Sequence, residues 1–128
     1  KKKFSEIINM QRKKTGKLFN FCCYAAGVVA KKNIKELKLL SKLGEDIGLL
    51  FQFADDFIDF KGTKKIVGKP TKKDQKKGKS TVISLIGYEK ANSFALQLKK
   101  NILSKLRKHG KNANDLINTV EFILERNF

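Results

Sequence analysis

Tryptophan is absent from the sequence, proline occurs once and cysteine twice. The two cysteines, Cys22 and Cys23, are adjacent and lie in an apolar run. A structural disulfide between neighbours is not expected, so both should be free thiols, as in a reducing cytoplasm. The 10 phenylalanines supply core volume, and a hydrophobic fraction of 41% excludes a generally disordered chain. The length of 128 residues is that of one ordinary domain.

Long apolar runs are missing as well. The nearest approach, residues 18–30, is too short to span a bilayer and is flanked by lysines. The start of the chain, KKKFSEIINM, is basic but lacks the apolar stretch and the small-residue cleavage site of a signal peptide. We therefore expect a soluble, cytoplasmic protein with no membrane span.

Acidic residues are scarce, since 12 Asp and Glu stand against 29 Lys and Arg, for a net charge of +17. Such a field attracts polyanions, and a basic helical module that binds nucleic acid is therefore one hypothesis. Only three of the 29 basic residues are arginine, which leaves 26 lysines, whereas proteins that read bases rely heavily on arginine. Charge alone does not identify the partner.

The spacing of the apolar residues predicts helices and no sheet. Residues 4–30 should be mainly helical, with an irregularity near Thr15 and Gly16. Residues 34 to about 60 should form one long helix of about 40 Å. The lysine-rich residues 61–79, which include the single proline, should form a loop.

The rest of the chain is also expected to be helical. Residues 81–86, TVISLI, have β-branched character and are the best strand candidate, but a lone strand would have no partner. Residues 88–110 form an amphipathic pattern that should end as a helix at Gly110. Asn112 or Asn114 is expected to cap a last helix. We therefore predict an all-α fold.

Three aspartates lie in the otherwise apolar segment FQFADDFIDF, residues 51–60. On a helix, Asp55 and Asp59 point the same way one turn apart, and Asp56 lies on an adjoining face. Carboxylates held this close repel one another, and a hard cation such as Mg²⁺, which also binds substrate phosphates, relieves the repulsion. A solvated helix end, with the acids paired to lysines, is the alternative explanation.

The neighbouring residues favour a phosphate ligand. Gln52, three residues before Asp55, can present its amide to the same face, and the lysine-rich segment supplies Lys69 and Lys79. Gly48, one turn before Gln52, costs helix propensity, which is expected where another helix or a substrate comes close. Acids that bind Mg²⁺ and lysines that bind phosphate are complementary halves of a diphosphate site.

The motifs resemble those of a known family. FQFADDFIDF followed by GKPTKKDQKKGKSTVISLIG resembles the second aspartate-rich motif and downstream segment of the polyprenyl synthetases, the trans-isoprenyl diphosphate synthases that include farnesyl and geranylgeranyl diphosphate synthase. The upstream KKTGKLFNFCCYAAG is similar to that family's KTG segment, and the order and spacing agree. The resemblance implies an antiparallel helix bundle of the terpenoid-synthase type, of which residues 1–128 would form the C-terminal portion as a single partial domain.

The same resemblance implies a function for the full-length protein. It would be a Mg²⁺-dependent prenyltransferase that condenses isopentenyl diphosphate with an allylic diphosphate, as a homodimer that binds no nucleic acid. The family's first aspartate-rich motif and isopentenyl diphosphate site precede the KTG segment and are not found in this sequence, so the fragment alone is expected to be inactive. A non-catalytic synthase-like subunit is a further alternative, and product chain length cannot be read from this part of the family.

The resemblance also implies roles for individual residues. The metal ligands would be Asp55, Asp56 and Asp59, with Asp55 the strongest and Asp56 acting more through hydrogen bonds. The diphosphate would be bound by Lys14, Lys69 and Lys79. The catalytic residues would be Lys14, Thr15, Gln52, Asp55 and Lys69. Thr15 and Gln52 would be polar groups near the reacting allylic carbon, and Asp74 would order the lysines around it.

Overall fold

The computed structural model describes residues 3–67 and 81–126, and the side chains of residues 63–67 are outside that description. In these two ranges there is no β-strand, which confirms the all-α prediction, and no helix is long and apolar enough to cross a membrane. The elements in chain order are α1 (Phe4–Gln11), a π-helical turn (Arg12–Gly16), α2 (Lys17–Val29), α3 (Ile34–Val67), α4 (Val82–Ile86), α5 (Tyr88–Leu106), a 3-10 segment (Arg107–Ala113) and α6 (Asn114–Ile123).

Helix α3 lies at the centre of the fold, because α1, α2, α4, α5 and α6 all pack against it. Its apolar residues recur at threes and fours, so one stripe of the helix faces the core. α2 and α3 form an antiparallel hairpin, in which the Lys32 N–H donates to the Gly27 carbonyl oxygen over 2.9 Å. The most deeply buried large side chains are Ile7, Leu49, Leu50, Phe53, Val82, Ile102 and Val120.

The hairpin between α2 and α3 depends on glycines at the helix contact. A Cβ added at Gly48 would lie 2.8 Å from the Cα of Gly16, and a Cβ added at Gly44 would overlap the backbone carbonyl of Phe19. Only glycine allows the two backbones to approach this closely. The expectation of a close approach at Gly48 is therefore confirmed, and the approaching group is the backbone of the π-helical turn. That turn, Arg12–Gly16, is also the irregularity predicted near Thr15 and Gly16.

The predicted end of the long helix near residue 60 was wrong. α3 runs over Ile34–Val67, a length of 34 residues or about 51 Å. Residues 61–67 contain no proline, and lysine is a good helix former even where no apolar stripe continues. The predicted loop over residues 61–79 is therefore wrong for its first part. Residues 68–80 lie outside the described ranges.

The strand alternative for TVISLI was also wrong, because residues 82–86 form the short helix α4. The side chain of Thr81 caps this helix, since its Oγ1 accepts a hydrogen bond from the Ser84 N–H over 3.1 Å. Gly87, with φ of 81°, ends the helix in a conformation that favours glycine. Local capping therefore overrides the β-branched composition.

Near the C-terminus the helix order was predicted correctly and the boundaries were not. α5 ends at Leu106 instead of Gly110, and Gly110 lies inside the following 3-10 segment with φ of 60° and ψ of −145°. α6 begins at Asn114, with Ala113 at the capping position and no side-chain cap. The expected cap by Asn112 or Asn114 is therefore wrong.

Candidate active site

The KTG segment bends into contact with α3. Lys14 and Thr15 lie in the π-helical turn, with Lys14 exposed and Thr15 half-buried. Gly16, the last residue of the turn, packs against Gly48. Because Gly48 precedes Asp55 by seven residues of helix, the bend lies about 10 Å from Asp55 along the axis of α3. The KTG segment, which is distant in sequence, therefore packs on α3 about two turns before Asp55.

Ion pairs hold the bend against α3. Arg12 Nη1 donates to Asp46 Oδ1 over 3.0 Å, and Lys17 Nζ donates to Glu45 Oε1 over 2.8 Å, so each end of the turn is tied to the same helix. Burial alone would raise the pKa of Asp46, but the hydrogen bond from Arg12 and the charge of Lys42 outweigh it, and the pKa is lowered. The hydrogen bond from Lys17 likewise lowers the pKa of Glu45. Neither acid was predicted from the sequence. The usable signal was an aspartate, Asp46, at a position that helical spacing places in the apolar stripe of α3.

Gln52 and Asp55 lie on one face of α3, as the spacing of three residues predicts. Gln52 Nε2 donates to Asp55 Oδ2 over 3.4 Å, which is near the long limit for a hydrogen bond. Both side chains are partly exposed. The amide therefore orients the carboxylate without enclosing it.

Arg126 is the site residue that the sequence did not reveal. Its Nη2 donates to Asp55 Oδ1 over 3.1 Å, although 71 positions separate the two residues. Its guanidinium carbon lies 4.2 Å from the centre of the Phe51 ring, and its Nε donates to the Ile123 carbonyl oxygen over 3.2 Å. The only available signal was its rarity, since Arg126 is one of three arginines in the chain.

Asp56 faces a different element from Asp55. Its Oδ2 accepts a hydrogen bond from the backbone N–H of Val82 over 3.1 Å, at the first residue of α4. This bond ties the start of α4 to α3, and an acid at a helix N-terminus is favoured by the exposed backbone donors there. The structure therefore gives Asp56 a positioning contact. Asp59, one turn after Asp55, is exposed.

The three aspartates do not form a closed metal cage. In residues 3–67 and 81–126, no group of three or more carboxylate, imidazole or thiol side chains is placed to hold a metal ion. Mg²⁺ usually binds one or two carboxylates together with waters and substrate phosphates, and does not need a complete protein cage. The oxygen donors of Asp55 and Asp59 fit that chemistry, provided that a diphosphate supplies further ligands.

Comparison with known proteins identifies the family. The family model described as polyprenyl synthetase matches residues 1–120. The chain belongs to the polyprenyl synthetase family. Its all-α architecture agrees with that membership, as the sequence resemblance implied.

The chain is similar to several curated synthases over much of its own length. It is 32% identical over 124 residues to a farnesyl diphosphate synthase of Micrococcus luteus, covering 96% of this chain and 42% of that protein. It is 33% identical over 122 residues to the farnesyl diphosphate synthase of Escherichia coli, covering 92% and 41% respectively. A geranylgeranyl diphosphate synthase of Sulfolobus acidocaldarius is 26% identical over 121 residues. The chain therefore spans less than half the length of these relatives, and no solved structure matches it significantly.

Three of the predicted residues lie outside the described part of the chain. Lys69, Asp74 and Lys79 lie outside the described residues, so their predicted roles stay predictions. Lys14, Thr15, Gln52 and the three aspartates are described, and all of them lie on α3 or on the bend that packs against it.

Proposed function

We propose that the full-length protein is a Mg²⁺-dependent prenyltransferase that condenses isopentenyl diphosphate with an allylic diphosphate. The observation that carries the proposal is the contact between Gly16 and Gly48, which brings the KTG bend to the helix that carries Asp55. Family membership and relatives named as farnesyl or geranylgeranyl diphosphate synthases support it. The net charge of +17 suits small, highly charged anionic substrates.

Each side chain would act on one part of the allylic diphosphate. Bound Mg²⁺, held by Asp55 and Asp59 together with phosphate oxygens, would supply positive charge to the leaving diphosphate. Lys14, Lys69 and Lys79 would bind the diphosphate as point charges and stabilise the negative charge that it gains as the carbon–oxygen bond breaks. Thr15 and Gln52 would turn their oxygen dipoles toward the allylic carbon where positive charge develops. Asp56 would hold the start of α4 against α3.

The chain of residues 1–128 is proposed to be one part of a single larger domain and to be inactive alone. Its relatives are more than twice its length, since it covers 42% of one and 41% of another. The other aspartate-rich motif and the isopentenyl diphosphate site would be supplied by the remaining part. We further propose that the full-length protein is a homodimer whose partners are these diphosphates, and that nucleic acid is not a partner.

The test is prenyl transfer by the full-length protein with isopentenyl diphosphate and dimethylallyl or geranyl diphosphate. Asp55→Asn should lower kcat by about a hundredfold or more, because a neutral amide holds a divalent cation poorly. Asp115→Asn, on the exposed first turn of α6, removes the same charge outside the site and should leave kcat unchanged.

Two results would contradict the proposed function. One is an Asp55→Asn protein with undiminished turnover. The other is a wild-type protein that forms no product but binds nucleic acid with a steep dependence on salt, since the charge of the chain would then serve a polyanion.

A further inference from the structure

Arg126 is held beside Asp55 by contacts of its own. Its Nε donates to the Ile123 carbonyl oxygen over 3.2 Å, and its guanidinium carbon lies 4.2 Å from the centre of the Phe51 ring. Neither contact involves Asp55, and only 12% of the Arg126 side chain is exposed. The stacking and the hydrogen bond therefore fix the guanidinium even when Asp55 binds another ligand.

The two oxygens of Asp55 are in different situations. Oδ1 accepts a charge-assisted hydrogen bond from Arg126 Nη2 over 3.1 Å. Oδ2 has a long contact of 3.4 Å with Gln52 Nε2, and 43% of the side chain is exposed. A divalent cation can therefore approach Oδ2 from solvent, while Oδ1 stays bound to Arg126.

We propose that Arg126 is a positioning residue that weakens divalent-cation binding at Asp55 until the diphosphate is bound. This inference rests on the proposed function. A cation on Oδ2 lies within several ångströms of the fixed guanidinium, and the two positive charges repel. For charges of +2 and +1 about 6 Å apart, this repulsion weakens the affinity by about tenfold even at the dielectric of water, and by more at a lower effective dielectric. A bound allylic diphosphate carries up to three negative charges and inorganic pyrophosphate up to four, and these charges attract both cations and offset the repulsion.

The ion pair between Arg126 and Asp55 also favours binding of the diphosphate. An unpaired carboxylate at Asp55 would repel an approaching diphosphate, whereas a carboxylate neutralised by Arg126 does not. The pairing therefore disfavours metal binding before substrate and favours their joint binding, which is a positive coupling between two ligands.

The coupling can be measured with Mn²⁺, which takes the same oxygen ligands and is detected by electron paramagnetic resonance. The full-length protein is titrated with Mn²⁺ alone and with inorganic pyrophosphate, corrected for the Mn²⁺ that free pyrophosphate binds. Arg126→Gln should tighten the binding of Mn²⁺ alone by about tenfold or more and reduce the gain from pyrophosphate by a similar factor.

Matched variants separate the role of Arg126 from other effects. Arg107→Gln removes the same charge from an exposed side chain that pairs with Glu121 over 3.5 Å, and should change the Mn²⁺ affinity by less than about twofold because solvent screens it. Arg126→Lys keeps the charge and should resemble the wild type. If Arg126→Gln does not fold, Arg126→Met, which keeps the apolar stem over Phe51, is measured in its place.

The outcomes distinguish this inference from the proposed function. Unchanged or weaker Mn²⁺ binding by a folded Arg126→Gln or Arg126→Met protein overturns the role of Arg126. If Asp55→Asn weakens Mn²⁺ binding in that case, the metal site of the proposed function still stands. If Asp55→Asn has no effect on Mn²⁺ binding, the metal site and the role of Arg126 both fail.

Discussion

At the scale of single residues, Asp46 illustrates how a buried charge is stabilised. Only 8% of its side chain is exposed, and it meets cations from three elements. Besides its hydrogen bond with Arg12 of the π-helical turn, its Oδ1 lies 3.2 Å from Lys42 Nζ and its Oδ2 accepts from Lys105 Nζ of α5 over 3.4 Å. The carboxylate thereby joins the KTG bend, α3 and α5.

Asp46→Asn should lower the free energy of unfolding by about 1–2 kcal/mol at neutral pH, because it removes the charge-assisted hydrogen bond from Arg12 and the ion pairs with the half-exposed Lys42 and Lys105. The folded pKa of Asp46 is below its ordinary value of 3.8, so this stabilisation is present above that value and is lost as the pH falls through the lowered folded pKa. Urea denaturation of wild type and variant from neutral to acidic pH should therefore show a difference that closes in acid.

Glu36→Gln is the control for the charge change at Asp46. Glu36 is at the exposed start of α3, where its Oε2 accepts from the Asn33 N–H, and its substitution should shift the urea midpoint only slightly. A loss of stability in Asp46→Asn that is the same at every pH would show that the effect is steric and not electrostatic.

At the scale of elements, the contact between the π-helical turn and α3 is built on Gly48. Gly48→Ala would place a Cβ 2.8 Å from Gly16 Cα and 3.2 Å from Gly16 N, and backbone atoms cannot move aside as a flexible side chain can. We expect a loss of about 1–3 kcal/mol in the free energy of unfolding, measured by urea denaturation. Prenyl transfer should fall as well, because Lys14 and Thr15 would move away from Asp55.

Gly62→Ala is the matched control in the same helix. Nothing lies within 4 Å of a Cβ added at Gly62, so the higher helix propensity of alanine should stabilise the protein by up to about 1 kcal/mol. Equal destabilisation by the two substitutions would mean that the close approach at Gly48 does not limit the packing.

Element types were predictable where the local signal was strong, and boundaries were not. The periodic apolar stripe was enough to identify α3, but it did not mark the end of the helix, because the sequence periodicity stops near Phe60 while the helix continues to Val67. In α4, the hydrogen bond from the Ser84 N–H to Thr81 Oγ1 stabilises the helical conformation, although the β-branched composition favours a strand. Such capping depends on one or two side chains and leaves little trace in a composition average.

At the scale of the whole molecule, one face of α2 has no covering element in the described part of the chain. Leu18, Phe21 and Val28 lie on that face at helical spacing, with 63%, 66% and 49% of each residue exposed. A cluster of large apolar side chains is unfavourable in water. The curated relatives are more than twice as long as this chain, so we expect the exposed face of α2 to be buried in the full-length protein.

The isolated chain of residues 1–128 should therefore associate with itself in solution. Light scattering after size exclusion should give a mass above that of the monomer, and Phe21→Ser should reduce it because it removes apolar area from the α2 face. Leu96→Ser, at a residue of α5 that is 52% exposed, is the control and should leave the mass unchanged. A monodisperse monomer for the unaltered chain would contradict the expectation.

Local sequence was sufficient for the helical class, the family motifs and the shared face of Gln52 and Asp55, because these depend on composition or on spacings within two turns of one helix. The pairing of Arg126 with Asp55, and the bond from the Val82 N–H to Asp56, were decided by the tertiary structure. Each joins α3 to a distant part of the chain, since Arg126 follows the end of α6 and Val82 begins α4, and the relative positions of helices follow from how their apolar faces and glycines pack. The aspartate-rich segment therefore marked the candidate site, while the packing of α6 and the residues that follow it determined which oxygen of Asp55 accepts from Arg126.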